Sequence, residues 1–306
     1  MSRGDLEGVD GFLLMDFLLP KKTVTSIISK IFRLEFLMRY LLIAFALLIS
    51  ACSTMPVAND RPTSQIQLQK PSVQRLSDAD IATVKKMLAE LEPYIVSRQK
   101  AGTQALLTFE ELYSRLDPEE TRLVSFVEGL KPDQLGLKTP WMGYGDPATP
   151  MVQVRESYRG PGGVMVDIPA QYLPAAADEK YRAMMSAMQS DLGRRLYLSS
   201  GHRSGAYQIY LYFFYLKNHD WSIKETGRFV ALPGYSEHGA KHRQALDFVA
   251  EGVALEDESE KFENLPEYSW LQKNASRYGF VLSYPKNSPT GITFEPWHWH
   301  FEAQKR

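Results

Sequence analysis

One cysteine in 306 residues, Cys52, is too few for an intramolecular disulfide or for a structural zinc site built from two or more thiolates. Surplus charge is missing too. The 35 Lys and Arg against 36 Asp and Glu leave a formal −1, so the chain lacks the global basic field that nucleic-acid binding draws on, and no nucleic-acid partner is expected. Internal repeats and long low-complexity tracts are absent. Histidine is sparse, six in all, and five of them fall in three short motifs. What is present is ordinary: 44% hydrophobic residues, enough for one good core and a smaller second one at a typical domain size of roughly 100–200 residues.

The surroundings of Cys52 are informative. Arg39 precedes an apolar run from Tyr40 to Ile49, followed by the small residues Ser50 and Ala51. That order reads as a signal peptide over 38–51, since about 20 apolar residues are needed to span a bilayer. The tetrad Ile49-Ser50-Ala51-Cys52 resembles the bacterial lipobox, which implies a diacylglycerol on Cys52 and a protein tethered to a membrane of the cell envelope, periplasmic or on the cell surface. Ser53, not aspartate, follows the cysteine, which by general lipoprotein sorting in a Gram-negative envelope favours the outer membrane. Met38 then reads as the true start, and residues 1–37 are left out of fold reasoning.

Residues 52–73 are rich in Pro, Ser, Thr, Gln and Asn and read as a flexible tether. A mixed, largely helical region is expected over 74–176. Ser77 with Asp80 opens a helix whose apolar residues Ile81, Val84, Met87, Leu88 and Leu91 recur before Pro93; Thr108 with Glu111 and Asp117-Pro118 open two more. Loops and short strands follow to residue 176, around Gly160-Pro161-Gly162-Gly163. Over 177–306 the spacing predicts a helix to about Arg194, a strand at Leu196–Ser199, an aromatic helix Tyr207–Leu216 and a strand at Ala245–Val249. A helix Pro266–Tyr278 and strands Phe280–Tyr284 and His298–Glu302 complete it. The expected class is α+β: a small antiparallel sheet with helices packed on it, preceded by the helical N-terminal region.

The histidine motifs are Ser199-Ser200-Gly201-His202-Arg203-Ser204; Pro233 to His238, running on to Ala245-Leu246-Asp247; and Glu295-Pro296-Trp297-His298-Trp299-His300. A catalytic zinc typically takes three ligands from His, Asp and Glu and leaves a fourth position for water. His238, on a Gly-rich turn, and Asp247, in an apolar run where a bare carboxylate is unfavourable, can belong to such a set. Glu295 and His298, three apart, can divide metal holding and proton transfer between them. Spacing alone fits equally well a turn histidine, an Asp247 paired with an arginine such as Arg243, and a Trp297/Trp299 core strand with exposed histidines.

Several segments together, from about residue 180 to 303, resemble the D-alanyl-D-alanine carboxypeptidases of the vancomycin-resistance type and their zinc peptidase relatives. Ser200 to Ser204 with Gln208 resembles that family's Ser-Gly-x-Arg-Ser segment, Ser236-Glu237-His238 and Ala245-x-Asp247 its first ligand pair, and Glu295-Pro296-Trp297-His298 its closing motif. The resemblance implies one zinc on His238, Asp247 and His298, Glu295 as general base, Arg203 as binder of a substrate's terminal carboxylate, and Gln208 and Ser236 as polar contacts. It also implies a peptidoglycan stem peptide as substrate, with removal of a terminal D-alanine first. An L,D-carboxypeptidase, an endopeptidase, a non-catalytic wall-binding lipoprotein and a structural lipoprotein acting through residues 74–175 are the alternatives. One departure stands out. His238 and Asp247 are nine positions apart where the family usually has seven, in Ser-x-His-x-x-Gly-x-Ala-x-Asp. The longer spacing raises His242 as a rival to His238, although Lys241 and Arg243 beside it would repel a cation; His300, on the same strand face, rivals His298.

Overall fold

The computed structural model describes residues 70–145, 149–240, 242–254 and 259–302. The leader 1–37, the expected signal peptide 38–51, Cys52 with its expected lipidation, and the tether up to residue 69 lie outside the described residues. Among the described residues no helix is long and apolar enough to cross a membrane. Residues Gln69–Arg306 form one compact unit.

Helix α1 (Asp78–Ala101) is capped by Ser77, whose hydroxyl accepts the Asp80 N–H. It buries Ile81, Val84, Met87 and Leu91 as the spacing predicts, but it does not stop at Pro93. Pro93 and Ala89, whose carbonyl loses its amide partner, are both exposed, so water can satisfy that carbonyl while Ile95 extends the buried stripe. Helices α2 (Phe109–Tyr113) and α3 (Pro118–Glu128) open on the expected Thr108/Glu111 and Asp117/Glu120 capping boxes. Strands β1 (Met151–Arg159) and β2 (Met165–Pro174) form an antiparallel hairpin across the Gly-Pro-Gly-Gly turn. Helix α4 (Ala175–Leu192), strand β3 (Leu196–Ser200) and helix α5 (Gly205–Tyr215) follow, then the short helix α6 (Ile223–Thr226) and strand β4 (Arg243–Ala250). Helices α7 (Ser259–Glu263) and α8 (Pro266–Asn274), the latter continued as a tighter turn Ala275–Tyr278, lead to β5 (Phe280–Leu282) and β6 (His298–Glu302). The sequence reading had no α6 or α7; each is a turn or so long and carries too little periodicity to register.

The second sheet runs β3-β4-β6-β5 with every neighbour antiparallel, so the α+β class is as expected. Its alternate residues divide between two faces. Leu196, Leu198, Leu246, Phe248 and Trp299 pack with Tyr181, Met184, Met185 and Met188 of α4 and with Trp270 and Leu271 of α8. Asp247, His298 and His300 belong to the opposite face. A second core joins α1 and α3 to Ile209, Tyr212 and Phe213 of α5, so the region 74–176 shares its apolar interior with a helix of the 177–306 segment.

Candidate metal centre

Three local structures bring the site together. In the sheet, Asp247 of β4 and His298 of β6 are directly opposite each other, and Asp247 Oδ1 lies 2.8 Å from His298 Nδ1. The turn Glu295-Pro296-Trp297-His298 closes with the His298 N–H donating to the Glu295 carbonyl, Pro296 at its second position, and leaves Glu295 Oε2 3.7 Å from His298 Nδ1. Third, His238 sits in a tight turn, Glu237–Gly239, whose backbone is tied to the Ser200–Ser204 segment: Arg203 N–H donates to the His238 carbonyl. Gly239 allows that approach: a Cβ there would lie 2.8 Å from the Arg203 carbonyl oxygen. Gly201 instead permits close packing on β2, where a Cβ would lie 2.5 Å from the Tyr172 carbonyl oxygen.

One ligand atom from each of His238, Asp247 and His298 lies within 4.8 Å of the others, and these three were the residues expected. His238 is 2% exposed. Its Nδ1–H donates to the Gly201 carbonyl at 2.7 Å, which leaves Nε2 facing Asp247 Oδ2 at 3.1 Å. That buried Nε2 has no hydrogen-bond partner, an expensive condition for a polar atom unless something else binds it. His298 presents Nδ1 to Asp247 and Nε2 to Glu237 at 3.0 Å. An imidazole Nε2, an imidazole Nδ1 and a carboxylate, each oriented by a partner behind it, fit the three-ligand set of a catalytic zinc. The longer His238–Asp247 connection leaves His242 exposed, outside the trio. His300 is buried on the same strand face as His298, but it turns to Arg243 and Ser283, and is likewise outside it.

The electrostatics follow from burying so many groups together. Burial and the Arg203 guanidinium push His238 down to about 4. Burial works against the His298 cation as well, but the Asp247 carboxylate and then Glu237 overcome it and hold that imidazole up at about 10. Both histidines draw Asp247 well below the usual carboxylate range in spite of its burial. Glu295 is pushed up to about 7 by burial, with Asp247 adding to the push and His298 opposing it. Among the described residues it makes no ion pair closer than the 3.7 Å approach to His298.

Arg203 fans out over the same site. Nε donates to Ser200 Oγ at 3.0 Å, one terminal nitrogen to Gln208 Oε1 at 3.4 Å, and the other to Asp247 Oδ2 at 3.1 Å. Asp247 therefore does pair with an arginine, but with Arg203; Arg243 reaches Glu237 instead. Gln208 is fixed by its own bond to the Ala231 carbonyl, and Ser236 is buried at the cleft wall. Arg203, Gln208, Ser236, Glu295 and the trio line one cleft of about 790 Å³, which extends past Tyr215, His219, Phe229 and Phe294. Among its residues, sequence reasoning missed Glu237 and Tyr284. Glu237 is 3% exposed and pulled down to about 2 despite its burial, first by His298; the ring of Tyr284 packs 4.9 Å from that of His298. A signal for Glu237 existed in its place beside His238 on the same turn; none existed for Tyr284, which is far from any motif until the chain folds.

The comparisons fall on this part of the chain. The VanY family, described as D-alanyl-D-alanine carboxypeptidase, matches residues 170–304. A D-alanyl-D-alanine carboxypeptidase of Enterococcus faecium is 33% identical over 132 residues, 42% of this chain and 36% of the relative. The putative carboxypeptidase YodJ of Bacillus subtilis (strain 168) is 29% identical over 143 residues, 45% and 49% of the two chains. The chain thus spans between a third and a half of the length of these curated relatives. Among solved structures, the LdcB LD-carboxypeptidase is 24% identical at a TM-score of 0.42, covering 57% of this chain and 79% of its own. The match at residues 170–304 takes in the trio, Glu295 and Arg203, so the part of the chain that resembles the VanY family of D-alanyl-D-alanine carboxypeptidases is the part that builds this site.

Proposed function

We propose that the protein is a zinc-dependent carboxypeptidase that hydrolyses peptidoglycan stem peptides, removing the terminal D-alanine of a D-alanyl-D-alanine end. The observation that carries this reading is the convergence of His238 Nε2, Asp247 and His298 Nδ1 beside Glu295, at the floor of a cleft that also holds Arg203. The match of residues 170–304 to the VanY family supports it. So does the segment ending at Cys52, whose order of residues supports a lipid-anchored protein facing the cell wall.

His238, Asp247 and His298 would hold the metal. Bound there, zinc supplies a Lewis acid for the scissile carbonyl and brings the pKa of a water toward about 7. Glu295 takes the proton of the attacking water and returns it to the leaving amine; burial leaves its carboxyl proton affinity close to that of the groups it exchanges with. Arg203 selects the free chain end. Of its five N–H donors three are engaged by Ser200, Gln208 and Asp247, which leaves one on each terminal nitrogen for a substrate carboxylate. Ser200 and Gln208 hold the plane of the guanidinium, so an Arg→Lys change there would lose both the fork and its orientation.

The test is zinc content together with D-alanine release from a stem pentapeptide and a stem tetrapeptide, for the wild type and His238→Ala. Stoichiometric zinc and chelator-sensitive release from the pentapeptide, both lost in the variant, are expected. Release from the tetrapeptide alone would make the protein an L,D-carboxypeptidase, zinc without any release would leave a wall-binding lipoprotein, and absence of zinc would overturn the metal reading.

A further inference from the structure

Behind the trio lies a buried carboxylate that the proposed reaction does not use. Glu237 Oε2 is 3.0 Å from His298 Nε2, accepts the Ser283 hydroxyl, and lies 3.6 Å from His300 Nδ1; Oε1 lies 3.3 Å from Arg243 Nε. A carboxylate at this depth without partners would be strongly disfavoured, and here cations or donors arrive from three separate segments. The donors form a consistent chain. His300 Nε2 lies 2.9 Å from the Arg243 guanidinium and 3.1 Å from Glu302 Oε1; with Arg243 as the donor there, His300 carries its proton on Nδ1 and gives it to Ser283 Oγ at 2.7 Å, and Ser283 in turn donates to Glu237. The carboxylate is thereby fixed from one side and turned to His298 on the other.

A neutral imidazole has one proton and one lone pair, and only the nitrogen without the proton can bind a metal. His298 faces the trio with Nδ1, so a proton on Nδ1 would block it. We infer that Glu237 is a positioning residue: by accepting from His298 Nε2 it keeps the imidazole proton on that nitrogen and the Nδ1 lone pair turned to the metal. The inference deepens the zinc-peptidase reading and rests on it. The Gly201 carbonyl does the same for His238 from the opposite ring nitrogen, Nδ1. A neutral carbonyl suffices there, whereas His298 receives an anion, which strengthens its ring as a donor as well as orienting it.

The experiment compares wild type, Glu237→Gln and Glu237→Ala by zinc affinity in chelator competition, by the imidazole N–H resonance of His298, and by thermal unfolding of the metal-free proteins. A slowly exchanging, downfield Nε2 proton on His298 is expected in the wild type and lost in Glu237→Ala. Zinc affinity is expected to fall about 10–100-fold in Glu237→Ala and less in Glu237→Gln, which keeps an acceptor but not the charge. Unchanged affinity in both variants, or an unchanged His298 proton in Glu237→Ala, would overturn the inference. Should Glu237→Ala fail to fold, Glu237→Gln decides: weakened zinc binding supports the positioning role and unchanged binding refutes it. A wild type that holds no zinc would sink the metal reading instead, and the His298 proton would still report whether Glu237 orients that ring.

Discussion

The two faces of the β3-β4-β6-β5 sheet are made of alternate residues of the same strands, yet one is an apolar wall and the other a cluster of ionisable groups. Leu246 and Phe248 flank Asp247 in sequence and point into the core under α4, while Asp247 points the other way to His298. Trp299 stands between His298 and His300 on the same terms. The apolar face is held by dispersion and water exclusion, which fix the strands without constraining charge. The polar face inherits that rigidity. It can hold a carboxylate and imidazoles at hydrogen-bond distance because the backbone beneath them is anchored from behind.

Each face can be broken separately, and the effects should differ in kind. Asp247→Asn is expected to have the largest effect: an amide cannot replace the carboxylate beside a divalent ion, so zinc content and hydrolysis should both be lost, read by elemental analysis and an activity assay. Glu295→Gln should retain zinc and lower kcat by about 10²–10⁴-fold, since it removes only the proton acceptor. Leu246→Ala, one residue from Asp247 but fully buried on the other face, should cost about 2–5 kcal/mol in denaturant unfolding while folded protein still binds zinc.

A pH experiment on chelator-treated protein sharpens the contrast. Because folding holds His298 at about 10, above its ordinary 6.5, its stabilising contribution is complete below pH 6.5 and is lost as the pH rises toward 10. His238, at about 4, and Glu237, at about 2, act in the opposite sense: their contributions fade as the pH falls below their ordinary values of 6.5 and 4.5. Glu295, held up at about 7, loses its contribution as the pH rises from 4.5 and offsets His238 in that range. Melting temperature should therefore be highest between about pH 4.5 and 6.5 and decline on both sides, and zinc should remove the alkaline decline by keeping His298 neutral. The smallest effect is expected of His242→Ala. That side chain is exposed and outside the trio, so zinc affinity should stay unchanged and stability within about 0.5 kcal/mol.

Much of the site was legible before folding. His238, Asp247, His298, Glu295 and Arg203 stand in motifs whose residue types have few other reasons to recur together, and the structure gathers all five in one cleft. Apart from the short helices α6 and α7, the elements from α4 to β6 were legible for a different reason: long apolar stripes and alternations survive tertiary context, with boundaries off by a few residues. Pro93 misled because a propensity rule says nothing about which way a carbonyl faces. Ser283, Tyr284 and His300 could not be ranked from sequence, since their contact with Glu237 or His298 depends on β5 and β6 pairing.

The sequence by itself determined the chemistry available: six histidines, a carboxylate in an apolar run, and turns that only glycine and proline make easily. It also set the two-residue alternation that sends Asp247 and His298 to one side and Leu246 and Trp299 to the other. Only the tertiary structure decided which of the rival histidines meet. Antiparallel register put His298 opposite Asp247 and His300 opposite Ala245, and the close approach of the Gly239 backbone to that of Arg203 brought His238 in and left His242 in solvent. Register and backbone approach are long-range properties, fixed by what packs behind the strands, and no local pattern contains them.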